Sequence, residues 1–206
     1  MSEAPNPPNP KTKKGARRRD AIVTAAADLF RERGFRATSL DDIGAVAGVS
    51  GPAIYRYFKS KNDIVEAIAQ QYSDQVGAAL DAITGDPGQS LADVIQSSIK
   101  LIHTNAEPGG TLRIAVQLWA EALRDERAAA TAKAVYTRFR NNFVILARRA
   151  VATGELAPDT DPEAAGAALF SLVIGYGLQK MLTGSPSHEI YTIGLRSLLE
   201  HAHTRQ

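Results

Sequence analysis

Gly48-Val49-Ser50 constrains this chain more tightly than any other three residues. Ahead of it runs Thr38-Ser39-Leu40-Asp41-Asp42, where each hydroxyl residue is followed three positions later by an acid. That is a capping-box layout with Asp in the Glu place. It predicts a short helix over Leu40–Ala47, with Leu40, Ile43 and Val46 or Ala47 facing inward. Gly48 can end that helix, since glycine readily takes the left-handed conformation favoured just past a C-terminus. Val49 is expected to plug the gap behind it. Ser50 is expected to cap a second helix, which tolerates Pro52 in its first turn and runs to about Phe58. Two short helices joined by a tight turn containing glycine make a helix-turn-helix.

The flanks supply the rest of a small core. From Arg17 to Arg33, Ile22, Ala25, Ala26, Leu29 and Phe30 fall on one apolar stripe. Gly34 is a plausible stop, and Phe35 an anchor after it. Ser60, with Asp63 three residues on, opens a further helix through Ile64 and Ile68 towards Ile83. Residues 1–15 read as a disordered basic arm, because prolines and small polar residues cannot build a core.

Beyond Gly85-Asp86-Pro87-Gly88 the composition changes. Ser90–His103, Thr111–Leu123, Arg124–Thr153, Pro162–Leu182 and Ile190–His203 each carry helical periodicity, separated by Gly- and Pro-rich breaks. No strand-like alternation occurs. The expected fold class is all-α with about nine helices: a three-helix unit containing the helix-turn-helix over residues 16–62, then the remaining helices over 63–206.

Charge divides along the same line. Residues 1–61 hold 12 Lys/Arg against 6 Asp/Glu, and the remainder 12 against 16. A basic first third suits a polyanionic partner, or simply a solubilising tail. No cysteine is present, so disulfides and thiolate metal sites are excluded. No run approaches the roughly 18 apolar residues of a membrane span, and the Pro-rich N-terminus is no signal peptide. A cytoplasmic protein without membrane contact is expected. An enzyme is not: His201-x-His203, Gly175-Tyr176-Gly177 and Asp41-Asp42 assemble no catalytic, cofactor or metal site.

Arg17–Phe35, Thr38-Ser39-Leu40-Asp41-Asp42-Ile43 and AGVSGPAIYRYFKSKNDIV, taken in order, resemble the TetR/AcrR family of transcriptional regulators over roughly residues 16–68. Beyond residue 84 the chain fits only in layout. The resemblance implies a homodimer whose heads bind double-stranded operator DNA. It also implies a body holding a small-molecule effector pocket, with the last two helices forming a four-helix interface.

A recognition helix presents its N-terminal residues to base edges in the major groove. Here those are Ser50, Gly51, Pro52 and Ala53, then Tyr55, Arg56 and Tyr57, with Ile54 and Phe58 turned inward. Arg56 can fork onto a guanine or hold a phosphate, and both remain open. Tyr55 and Tyr57 are expected to offer hydroxyls to phosphates. Lys61 is expected to hold a phosphate together with its helix's amide end, and Thr38 another while capping its own helix. Many family members carry Thr or Ser where Ala53 stands. The tip is therefore poor in hydrogen-bonding side chains, and reading is expected to lean on Arg56, the tyrosines and DNA shape. Lys11–Arg19 can enter a minor groove, follow phosphates or stay solvated.

In the body, Trp119, Tyr136, Phe139, Phe143 and Phe170 can line an apolar cavity, with His103, Gln117, Arg140 or Asn142 orienting a ligand, or they can be plain bundle core. Ala164, Ala165, Ala167, Ala168, Gly175 and Gly177, with Leu172, Leu195, Leu198 and Leu199, fit a close helix interface between subunits or a buried intrachain helix. The expected function is a ligand-responsive repressor that binds a palindromic operator as a dimer and is released by a small, largely apolar effector. The alternative is a DNA-binding protein without such an effector, architectural or controlled by protein contact.

Overall fold

The computed structural model describes residues 12–203, with side chains described up to residue 198. The described residues form helices α1 (Lys13–Arg33), α2 (Leu40–Ala47), α3 (Gly51–Ile54), α4 (Lys61–Gly85), α5 (Leu91–Ala106), α6 (Leu112–Ala122), α7 (Glu126–Thr153), α8 (Pro162–Thr183) and α9 (His188–His203), and no strand.

Helix α1 starts earlier than its apolar stripe suggests. The Thr12 hydroxyl accepts the Gly15 amide at 3.1 Å, so the end of the expected arm is already helical. Residues 1–11 of that arm lie outside the described residues. In α2 the capping box is complete. The Asp42 amide reaches Ser39 Oγ at 3.1 Å, and the Ser39 amide reaches Asp42 Oδ2 at 2.8 Å. Gly48 takes φ 63°, ψ 36°, where a side chain would be strained, and turns the chain into Val49. Of the two candidates for the inner face, Ala47 packs on the core and Val46 points out, 61% exposed.

The recognition helix is shorter than expected. Regular helix ends at Ile54, and Ser50 makes no side-chain cap. The Ile54 carbonyl accepts both the Tyr57 amide (2.9 Å) and the Phe58 amide (3.0 Å), which tightens the last turn. The chain stays coiled through Phe58, but the Arg56 and Tyr57 amides bond three residues back, to Ala53 and Ile54, instead of four.

Two cores stack end to end. The head core joins Ile22, Phe30, Ile43, Val49, Ile54 and Phe58 to Ile64 and Ile68 of α4, and takes in Ile114, Leu118 and Ala128 from α6 and α7. The body core is built from α4, α5 and α6–α9, with Ile95, Ile99, Phe143, Phe170 and Tyr176 among its buried residues. Polar struts join them: Gln117 Nε2 donates to the Phe30 carbonyl at 3.2 Å, and Arg127 pairs with Asp63 at 3.3 Å and Glu66 at 2.9 Å.

Helix α8 corrects one expectation. By length and composition it could span a membrane, a test that core helices of soluble proteins also pass. Only 33% of its apolar window is buried, so one face lacks cover. Its glycines divide accordingly. A Cβ at Gly166 would stand 2.6 Å from the Val144 backbone, and one at Gly177 2.6 Å from Ile102, whereas one at Gly175 would meet nothing within 4 Å. Gly177 thus serves intrachain packing. Leu195 is also buried, and Leu172 packs against the body core; Leu199 lies outside the described side chains.

Candidate nucleic-acid interface and ligand cavity

On the head, Ser50, Pro52, Tyr55 and Arg56 are exposed, Tyr55 by 57%, while Gly51 and Tyr57 are half-buried. Ile54 and Phe58 point inward as their spacing predicts, at 0% and 3% exposure. Ala53 does not join the outer face. It is 8% exposed and lies in the head core beside Ile54. Two arginines of α1 brace the turn: Arg18 Nη2 donates to the Gly48 carbonyl at 3.3 Å, and the Arg19 guanidinium sits 5.0 Å from the Phe58 ring centre. Nothing in the local pattern announces these contacts, which span some 30–40 positions of chain and depend on how α1 crosses the head.

Two expected phosphate ligands are turned inward. Thr38 is 2% exposed and donates its hydroxyl to the Gly34 carbonyl at 2.9 Å; Ser39, not Thr38, caps α2. The Lys61 ammonium donates to the carbonyls of Phe35 (2.6 Å) and Thr38 (2.8 Å) and lies 4.3 Å from the Phe35 ring centre. Burial holds its pKa below the usual lysine value, with Glu121 opposing. Lys61 closes the α1–α2 loop over the start of α4, where three carbonyl and ring acceptors of the head converge.

In the body, Trp119, Tyr136, Phe139, Phe143 and Phe170 come together around one cavity, with Leu112, Val173 and Ile174 among its other walls. The cavity is a narrow slot of about 70 Å³. Tyr136 stands at its outer end, 42% exposed, with ring centres 4.7 Å from Phe170 and 6.5 Å from Trp119.

The expected polar partners lie elsewhere. Gln117 reaches the head, Asn142 donates to Asp81 at 2.8 Å, and His103 shares a 2.6 Å hydrogen bond with Tyr176 and faces Glu107 and His188. Arg140 does not line the slot either. The polar walls are Tyr72, Ser98 and Asn105, which sequence reasoning missed. Asn105 falls just before the Pro108-Gly109-Gly110 break, and there the returning chain supplies Thr111, whose hydroxyl donates to Asn105 Oδ1 at 2.6 Å.

Comparison with known proteins agrees with this architecture. Residues 22–68 match the model of bacterial regulatory proteins of the tetR family, and residues 90–202 match the C-terminal domain of BetI-type transcriptional repressors. The HTH-type transcriptional repressor KstR2 of Mycolicibacterium smegmatis is 29% identical over 151 residues, covering 71% of each chain. A TetR/AcrR-family regulator from Thermobifida fusca is 31% identical, with TM-score 0.68 over 92% of this chain and 100% of the other. AibR, solved with isovaleryl coenzyme A and operator DNA, shares the fold at 18% identity, with TM-score 0.66 over 88% of this chain and 97% of its own. These relatives are transcriptional regulators and not enzymes. The chain belongs to the tetR family of bacterial regulatory proteins and is a DNA-binding transcriptional regulator.

Proposed function

We propose that the protein is a ligand-responsive repressor that binds a palindromic operator as a dimer, in the cytoplasm where its DNA lies, and leaves it when a small, largely apolar effector enters the slot between α4, α5, α6, α7 and α8. The observation that carries this is shared walls. Ala69, Ile114 and Leu118 belong at once to the cavity lining and to the head core. A ligand that moves α6 must therefore repack the head. Tightly packed interiors shift between discrete arrangements instead of deforming smoothly. Ligand binding then favours a head spacing that no longer fits two successive major grooves, about 34–36 Å apart.

Ser50, Gly51, Pro52, Tyr55, Arg56 and Tyr57 are the groups proposed to meet the DNA. The dimer face proposed is the uncovered side of α8 (Ala164, Ala168, Ser171, Gly175) with Ile190, Ile193 and Leu198 of α9, all exposed. The test is a metabolite screen by thermal shift, followed by operator-binding titrations with each hit. A hit should weaken operator binding by about 5- to 150-fold, the usual range of allosteric coupling. Hits that stabilise the protein yet leave operator affinity unchanged would overturn the reading.

A further inference from the structure

The slot and its mouth differ in chemistry, and the difference specifies a ligand class. Every side chain lining the slot is uncharged. Its inner polar side chains are engaged: Ser98 Oγ donates to the Val94 carbonyl at 2.8 Å, and Asn105 Nδ2 to the Leu101 carbonyl at 2.8 Å. The Thr111 hydroxyl serves Asn105, and the Tyr72 hydroxyl bonds to Thr111. Burial pushes the Tyr72 phenol above its ordinary range, so it stays neutral. A charged group brought inside would lose its water and find no opposite charge to replace it.

The mouth is different. Trp119 and Tyr136 lead out to a shallow recess completed by Ala132, Lys133 and Thr137 of α7. Arg140 lies on the same face of α7 as Lys133, two turns further along. Among the described residues neither cation has an ion-pair partner, and the Arg140 Nε is buried with no hydrogen-bond acceptor. Acids of α4 and α8 are engaged with other arginines of α7: Asp74 and Asp81 with Arg138, Asp63 and Glu66 with Arg127, Glu163 with Arg148. A neutral slot that opens onto a recess carrying Lys133, with Arg140 on the same face of α7, is complementary to a molecule with one apolar end and one anionic end.

We propose that the effector is an amphipathic anion, whose slender apolar chain fills the slot while its carboxylate or phosphate head stays at the mouth against Lys133 and Arg140. This rests on the slot being the effector site. Four probes of equal chain length test it on the full-length protein: decanoate, decyl phosphate, decanol and decyltrimethylammonium, followed by Trp119 fluorescence and thermal shift. One or both anions should bind at least about tenfold tighter than decanol, and the cation least. The preferred anion identifies the head. Lys133→Met combined with Arg140→Met should bring the anions down to the level of decanol and leave decanol unchanged. Ala115→Leu, which narrows the slot itself, should weaken all probes together. Equal binding of decanol and both anions, or an anion preference that survives the double substitution, overturns the ligand class while leaving the effector site standing. Binding that Ala115→Leu does not touch, or no binding by any probe, overturns both.

Discussion

At the scale of single residues, Lys61 separates charge that reads DNA from charge that builds the reader. A lysine at the start of a helix beside a recognition element is an obvious phosphate ligand, yet its ammonium already donates to two carbonyls and faces an aromatic ring. Lys61→Met keeps the aliphatic stem and removes both hydrogen bonds. Stability should fall by about 2 kcal/mol, on the scale of hydrogen bonds to a charged group. Operator affinity should drop because the head loosens, while the slope of log affinity against log salt stays the same. Removing a true phosphate ligand would instead lower that slope by about 0.9 for each phosphate no longer neutralised. Thr38 makes the same point, since its hydroxyl is directed to Gly34 and its side chain is buried. From sequence, cap and back-bonded hydroxyl look alike in Thr38-Ser39, because both stand three residues before an acid. Only the third dimension tells them apart.

At the scale of elements, caps were legible in part. Ser39 and Ser60 accept the amides of Asp42 and Asp63 as their spacing predicts, whereas Thr38 and Ser50 do not cap, and Ser90 and Asp125 cap α5 and α7 without having been read as caps. The end of α3 was not legible, because nothing in Ala53-Ile54-Tyr55-Arg56 breaks a helix; the change to three-residue bonds at Arg56 and Tyr57 shows only in the structure. Asp63 tests the start of α4. Burial raises its pKa, but the Lys59 amide, the Ser60 hydroxyl and Arg127 outweigh that and hold it below the ordinary aspartate value. A carboxyl whose folded pKa is depressed stabilises the fold above its unfolded pKa, and that contribution is lost as pH falls through the folded value. Asp63→Asn should therefore cost about 1 kcal/mol at neutral pH, the scale of a helix cap. Thermal midpoints should converge with those of the parent as pH falls through that lowered folded value. A difference constant over pH would assign the effect to packing. Helix α8 allows a second test, because Gly166 abuts the Val144 backbone, which cannot move aside cheaply. Gly166→Ala should destabilise the monomer fold by about 1–3 kcal/mol, measured by denaturant unfolding.

At the scale of the whole molecule, the question is what covers α8 and α9. The small-residue stripe was visible in sequence, but which leucines accompany it was not. Leu195 turns inward, and Ile190, Ile193 and Leu198 take the outer face at 64%, 66% and 70% exposure. A soluble chain rarely leaves such a contiguous apolar face to water. Gly175 sharpens the point, since in the single chain a methyl there would touch nothing. If α8 stood free, Gly175→Ala would gain about 1 kcal/mol from helix propensity alone. If the face is closed by a second copy, the same methyl enters a close helix crossing and weakens association. We expect Gly175→Ala to shift the monomer–dimer equilibrium towards monomer in sedimentation experiments. Ile193→Asp should abolish the dimer, since it buries a charge with no partner. Operator binding should then fall to that of one head on one half-site, with a correspondingly smaller salt slope, because only half as many phosphates are neutralised. An Ile193→Asp protein that still sediments as a dimer and binds the operator undiminished would place the interface on another face.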